Sequence, residues 1–141
     1  MKVAVIDGQG GRMGQMIIER IRSQSIPCEL TAIGTNSIAT SVMLKAGAVA
    51  GATGENPVIA ACRRADVIIG PVGIIAADSL LGEVTPKMAA AVGQSAAKKL
   101  LLPVNMCDIV IIGTSALSLG RLIEEAVEEL GRISNEPRFS G

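Results

Sequence analysis

Histidine, tryptophan and tyrosine are absent from the 141-residue chain, and phenylalanine occurs once, as Phe139. Without histidine there is no imidazole general base and no Ser-His-Asp or Cys-His nucleophile. Charge of one sign is also missing: 13 Lys+Arg stand against 13 Asp+Glu, for a formal net charge of zero. That balance, together with the lack of aromatic platforms, excludes a dedicated nucleic-acid binder. No apolar run approaches the ~20 residues that a membrane helix needs. The chain starts directly on a strand pattern and shows no charged, apolar and small-residue zones of a signal peptide, so a cytoplasmic protein is expected. Cysteine is sparse: Cys28, Cys62 and Cys107 are three, widely spaced and without a C-x-x-C pair. They read as reduced thiols, and no metal site is expected.

Small residues take the place of aromatics. Glycine alone numbers 16, while hydrophobic residues make up 49% of the chain. Such a core packs elements closely but buries modest area per residue, so further burial in a homo-oligomer is expected.

Strand and helix patterns alternate along one domain's length. Continuous apolar or β-branched runs predict strands at 2–6, 29–33, 48–51, 66–69 and 99–102. Ile109–Ile112 predicts a sixth strand, and the few residues between it and the fifth require it to run antiparallel, at the sheet edge. Helices are expected at 12–22 and 37–46, the second capped by Asn36 and stopped by Gly47. A third runs from Asn56-Pro57 to Arg64 and a fourth from Thr85-Pro86 to Gly93. In the last helix Leu119, Leu122, Ile123, Ala126, Val127 and Leu130 form one stripe opposite a solvated acidic face, with Gly131 as the stop. This alternation predicts an α/β fold: a single doubly wound, mostly parallel sheet in the order 3-2-1-4-5 over residues 1–131, followed by a loose tail, 132–141.

One motif carries chemistry. The first strand runs into Asp7-Gly8-Gln9-Gly10-Gly11-Arg12-Met13-Gly14. Glycines between a buried strand and an amphipathic helix allow positive φ and close backbone approach. The helix start directs free N–H groups and a positive dipole end at the bend, which suits a phosphate. In this arrangement Gly8 makes the turn, Gly10 and Gly11 leave room for a ligand, and Gly14 lets helix and strand pack. Gln9, Arg12 and Met13 belong to the same candidate binding loop.

The run G-x-x-G-R-M-G, Gly8 to Gly14, resembles the cofactor loop of dihydrodipicolinate reductases. The resemblance spans about the first 20 residues and implies a pocket for NAD or NADP. It stops there: this chain has no histidine to match that family's catalytic His-rich loop, and Asp7 stands where a small apolar residue is expected. Over nearly its full length the chain is similar to an uncharacterised bacterial family of about this size. The match rests on Ile6-Asp7-Gly8-Gln9-Gly10-Gly11, Gly34-Thr35-Asn36, Gly51-Ala52-Thr53-Gly54-Glu55-Asn56, Gly70-Pro71-Val72-Gly73-Ile74 and Leu81-Gly82-Glu83-Val84-Thr85-Pro86. It implies a Rossmann-like fold and no particular activity.

Other candidates lie at the same sheet edge. After the second strand a dinucleotide binder carries an acid for the ribose; here Thr35 and Asn36 stand as neutral partners, and Asn36 equally suits a helix cap. Gly70, Pro71 and Gly73 follow the fourth strand across the switch point and can leave a slot for a ring or sugar, or form a plain turn. Thr53 to Asn56 can close the far side. Asp7 can hold Mg²⁺ with phosphate oxygens, act as a base, or fix the turn by accepting loop N–H groups. Asp78 and Glu83 can face the pocket or lie on the surface. No catalytic set is recognisable. The leading expectation is a binding or sensor module for a nucleotide-like small molecule. The alternatives are an NAD(P)-dependent oxidoreductase completed by oligomerisation and a Mg-assisted phosphate-handling enzyme using Asp7.

Overall fold

A computed structural model describes residues 1–104 and 108–139. Its strands are β1 (Lys2–Asp7), β2 (Glu29–Gly34), β3 (Ala50–Thr53), β4 (Val67–Pro71) and β5 (Lys98–Leu102). The helices are α1 (Arg12–Ser23), α2 (Ser37–Ala46), α3 (Glu55–Arg64), α4 (Pro86–Gln94) and α5 (Leu119–Ser134), with a 3-10 turn at Val72–Ile75. All pairings in the sheet are parallel and its order is β3-β2-β1-β4-β5. This is the doubly wound α/β arrangement that the alternating pattern predicts.

Successive side chains of a strand point to opposite faces, and the core divides accordingly. Val3 and Val5 of β1, Leu30 and Ala32 of β2, and Val67 and Ile69 of β4 face α1, α2 and α5. Ile6, Ile33 and Ile68 face α3 and α4. The sole aromatic, Phe139, packs against the first of these layers, under the Arg138 guanidinium. Over β2 and β3 the second layer is thin. A groove of about 410 Å³ lies there, lined by Thr31, Ile33, Ala52, Pro57 and Ala61 among others.

Four expectations need correction. No sixth strand forms at Ile109–Ile112: these residues lie outside the five-stranded sheet, and Val110 and Ile112 are 79% and 90% exposed. β5 is an edge of the sheet, but this apolar run does not pair with it: the chain leaves β5 for the crossover to α5, and turns follow around Gly113 (φ 93°). The strand expected at 48–51 sits at Ala50–Thr53, where pairing with Thr31–Gly34 fixes its register. Gly54, not Asn56, caps α3. Pro57 is still tolerated, since a first-turn N–H has no partner within the helix. Gly131 does not stop α5, which continues to Ser134. A glycine inside a helix costs about 1 kcal/mol, and buried Leu130 and Ile133 on either side hold the next turn against the core.

Candidate functional site

The bend between β1 and α1 lies at the carboxyl edge of the sheet, where β1 and β4 diverge to opposite sides. A β-turn closes it, with Gly11 N–H donating to Gly8 O (2.9 Å). The left-handed residues are Gln9 (φ 49°) and Gly11 (φ 73°) rather than Gly8. A Cβ on Gly11 would stand 2.7 Å from Ala39 Cα, so α2 packs directly against the bend. Gly14 packs α1 chiefly against α2 rather than against the strand: a Cβ there would meet Met43 Sδ at 2.3 Å, with Asp7 Cβ of β1 at 3.1 Å. Gly10 differs from both, with nothing within 4 Å of its absent Cβ.

Asp7 is 6% exposed and lies beneath the bend. Its Oδ1 accepts from Gly8 N–H and its Oδ2 from Gly14 N–H, both at 2.8 Å. Since Gly14 is the third residue of α1 and Gly11 offers no side chain, Asp7 supplies the helix cap from the preceding strand. Both oxygens are thus committed to backbone donors in the turn-fixing arrangement. Burial pushes the Asp7 carboxyl above the usual aspartate range; the two N–H bonds work against that rise, and Glu83 nearby adds to it.

Above the bend sits a second carboxylate. Glu83 Oε1 accepts from Gln9 N–H (2.9 Å), Thr35 Oγ1 (2.7 Å) and Asn36 Nδ2 (2.8 Å). Burial alone would raise its pKa, but the bonds from Thr35, Gln9 and Asn36 outweigh burial and leave it below the ordinary glutamate value. A Cβ on Gly8 would lie 2.3 Å from Thr35 Oγ1 and 2.8 Å from Glu83 Oε1, so this glycine keeps the space that the carboxylate fills. Asn36 has both of the roles open to it. Its Oδ1 caps α2 at Ala39 N–H (2.9 Å), while its Nδ2 reaches Gln9 O (2.8 Å) as well as Glu83. The N–H groups of Gly10, Arg12 and Met13 find no acceptor among the described residues.

The other candidates divide. Gln9 and Gly73 line a cavity of about 290 Å³ with Ala76, Leu80, Leu81 and Ile109. Gly70 instead serves sheet packing: a Cβ would fall 2.3 Å from Ile6 O. Pro71 is buried at the end of β4. The Met13 side chain is buried in the core, and Arg12 is exposed beside the bend. Asp78 is exposed and lines the cavity. Thr53 bonds Thr40 (Oγ1···Oγ1, 2.7 Å), and Glu55 Oε2 accepts from Thr85 Oγ1 (2.6 Å), so that stretch ties helices together. Cys28 is half-buried and Cys62 buried, and burial pushes both thiols up, away from nucleophilic thiolate. Cys107 lies outside the described residues. Among those residues no group of acidic, histidine or cysteine side chains forms a metal site, and no helix is long and apolar enough to cross a membrane.

Residues 2–135 match the family described as a domain of unknown function, DUF3842. The chain belongs to that family. No curated protein matches this DUF3842 chain. A solved structure similar to it is that of a dodecameric FMN-dependent UbiX-like decarboxylase from Escherichia coli O157:H7. The two chains share 18% identity with a TM-score of 0.54, and the match covers 100% of each. At that identity the likeness shows a common fold.

Proposed function

We propose that this DUF3842 protein binds a phosphorylated, nucleotide- or flavin-like small molecule at the Gly8–Gly14 bend. One observation carries the reading: an anionic oxygen, Glu83 Oε1, already sits at the bend on a backbone N–H, a hydroxyl and an amide. That carboxylate oxygen stands in for a phosphate oxygen. The unpartnered N–H groups of Gly10, Arg12 and Met13 supply further donors at the positive end of α1. The cavity beside Gln9 and Gly73, about 290 Å³, suits part of a nucleoside or flavin rather than the whole of one. Nicotinamide cofactors and FMN are the candidates, FMN because the structural relative is described as dependent on it. The role of these residues is binding and orientation, since each Asp7 oxygen already accepts a backbone N–H that fixes the turn and no side chain at the bend is activated as a nucleophile.

Calorimetric titration with NAD(H), NADP(H), FMN and ATP tests the reading, with Gly10→Ala as the companion variant. Gly10 has open space around it, so the substitution leaves the fold intact and obstructs only a ligand lying on the bend. Saturable binding of one compound, weakened about tenfold or more in Gly10→Ala, is the expected result. Absence of binding by all four, or equal binding by the variant, overturns it.

We also propose that the chain self-associates. Ile38, Leu44 and Val49 are exposed beside β3, an edge strand without charge or proline. Such an edge offers unpaired backbone groups to a second copy.

A further inference from the structure

The segment Ala76–Thr85 links the 3-10 turn to α4 and has hydrogen bonds of its own. Asp78 N–H donates to Val84 O (2.7 Å), Gly82 N–H to Asp78 O (3.1 Å), Glu83 N–H to Leu80 O (3.1 Å) and Val84 N–H to Ser79 O (3.2 Å). Ser79 Oγ donates to Gly73 O at its base. A loop bonded in this way is a compact unit held by its own contacts. Thr85 Oγ1 ties its far end to Glu55 of α3 (2.6 Å), while its bonds to the bend and to β2 converge on one atom. Among the described residues, Glu83 Oε1 accepts every hydrogen bond that joins the segment to the bend and to the end of β2.

Three of its residues, Asp78 (φ 64°), Leu80 (φ 54°) and Leu81 (φ 55°), hold left-handed backbone without being glycine. A leucine side chain, unlike that of Asn or Asp, offers no local hydrogen bond that favours this conformation, so the observed backbone is held against an intrinsic preference. Leu80 is compensated by burial in the core, whereas Leu81 is 90% exposed and gains no burial from its left-handed backbone. The Asp7 carboxylate beneath the bend also repels Glu83.

We infer that Ala76–Thr85 is a lid latched by the Glu83 carboxylate over the Gly8–Gly14 bend, and that an incoming phosphate displaces this carboxylate from the donors both require. The lid itself rests on the geometry above, while the identity of the displacing group rests on the ligand reading. Gln9 N–H, Thr35 Oγ1 and Asn36 Nδ2 cannot serve two anions at one position. The site therefore binds with an affinity reduced by the fraction of molecules in which the latch is open.

Amide hydrogen exchange and calorimetric titration with inorganic pyrophosphate, on wild type, Glu83→Ala and Thr35→Val, test the inference. Thr35→Val removes one donor from the opposite wall and keeps the shape, which covers the case of Glu83→Ala folding poorly. Amides of β1 and β4 report global stability in each protein. With those unchanged, exchange at Gln9 and at 78–84 is expected to rise about tenfold in Glu83→Ala and less in Thr35→Val. Pyrophosphate affinity is expected to rise about tenfold in Glu83→Ala. Exchange that stays at the wild-type rate in both variants overturns the lid, even where pyrophosphate binds. Faster exchange with no pyrophosphate binding in any of the proteins keeps the latch and overturns its displacement by phosphate, while the ligand reading is decided by the titrations with NAD(H), NADP(H), FMN and ATP.

Discussion

Two neighbouring glycines in the bend make opposite demands. Gly11 is left-handed and within 2.7 Å of backbone in α2, whereas Gly10 faces open space. Gly11→Ala combines an unfavourable φ with overpacking against backbone that cannot yield, and is expected to lower stability by about 2–4 kcal/mol. Gly10→Ala is expected to stay within about 0.5 kcal/mol of wild type. Urea denaturation of the two variants checks both values, and similar losses would refute the division of roles. The paired carboxylates give a second residue-scale expectation. Asp7 is held above its ordinary value, so the fold favours its protonated form. Its contribution to stability is therefore lost as pH rises from about 4 through the folded value. Glu83 is held below its ordinary value; its contribution is present above about 4.5 and is lost as pH falls through the folded value. In Glu83→Gln the repulsive part of the Asp7 shift disappears while burial remains. A carboxyl-detected NMR titration should then place Asp7 lower than in wild type. An unchanged Asp7 titration would mean that the two groups do not interact.

Two helix starts were legible from short-range chemistry, while that of α3 was not, since Gly54 and not Asn56 caps it. Asn36 caps α2 and Thr85 caps α4 as their spacing predicts, because a cap is a contact between residues three apart. Thr85 also donates to Glu55 Oε2 across the helix pair. Thr85→Ala therefore loses a cap and an inter-helix bond, and thermal unfolding should show a loss of about 1–2 kcal/mol. A loss no larger than that of an exposed substitution would show that the Glu55 bond contributes nothing. Ends that depend on distant partners were not legible. Gly131 is a stop by local rule and an interior residue by packing. Ile109–Ile112 has strand composition yet stays outside the sheet, although β5 is an edge strand. The bend itself was legible from its glycines, but its occupant was not. Glu83 is more than seventy residues from Gln9 in sequence, and an isolated acid in a long connection carries no sign of where its carboxylate goes.

At the scale of the molecule, parallel order and doubly wound topology followed from alternation alone, since each crossover requires a helix and a consistent hand. Self-association is an expectation from composition, but the surface proposed for it is not legible there, because edges and exposed apolar side chains show only in three dimensions. Size-exclusion chromatography with light scattering is expected to give a mass above that of one protomer. Val49→Lys, at the uncharged margin of β3, should lower it; a monomeric wild type refutes self-association. Apolar burial is also uneven across the sheet. Among the described residues, eighteen buried hydrophobic side chains lie on the α1, α2, α5 side and twelve on the α3, α4 side. Leu80 and Val84, the roots of the lid, belong to the smaller group. Spontaneous loosening on warming should thus begin in the same half of the protein that must yield when a ligand arrives, so heat and ligand would draw on a single soft mode, and a molecule that seals the crevice would also stiffen the flank most prone to melt.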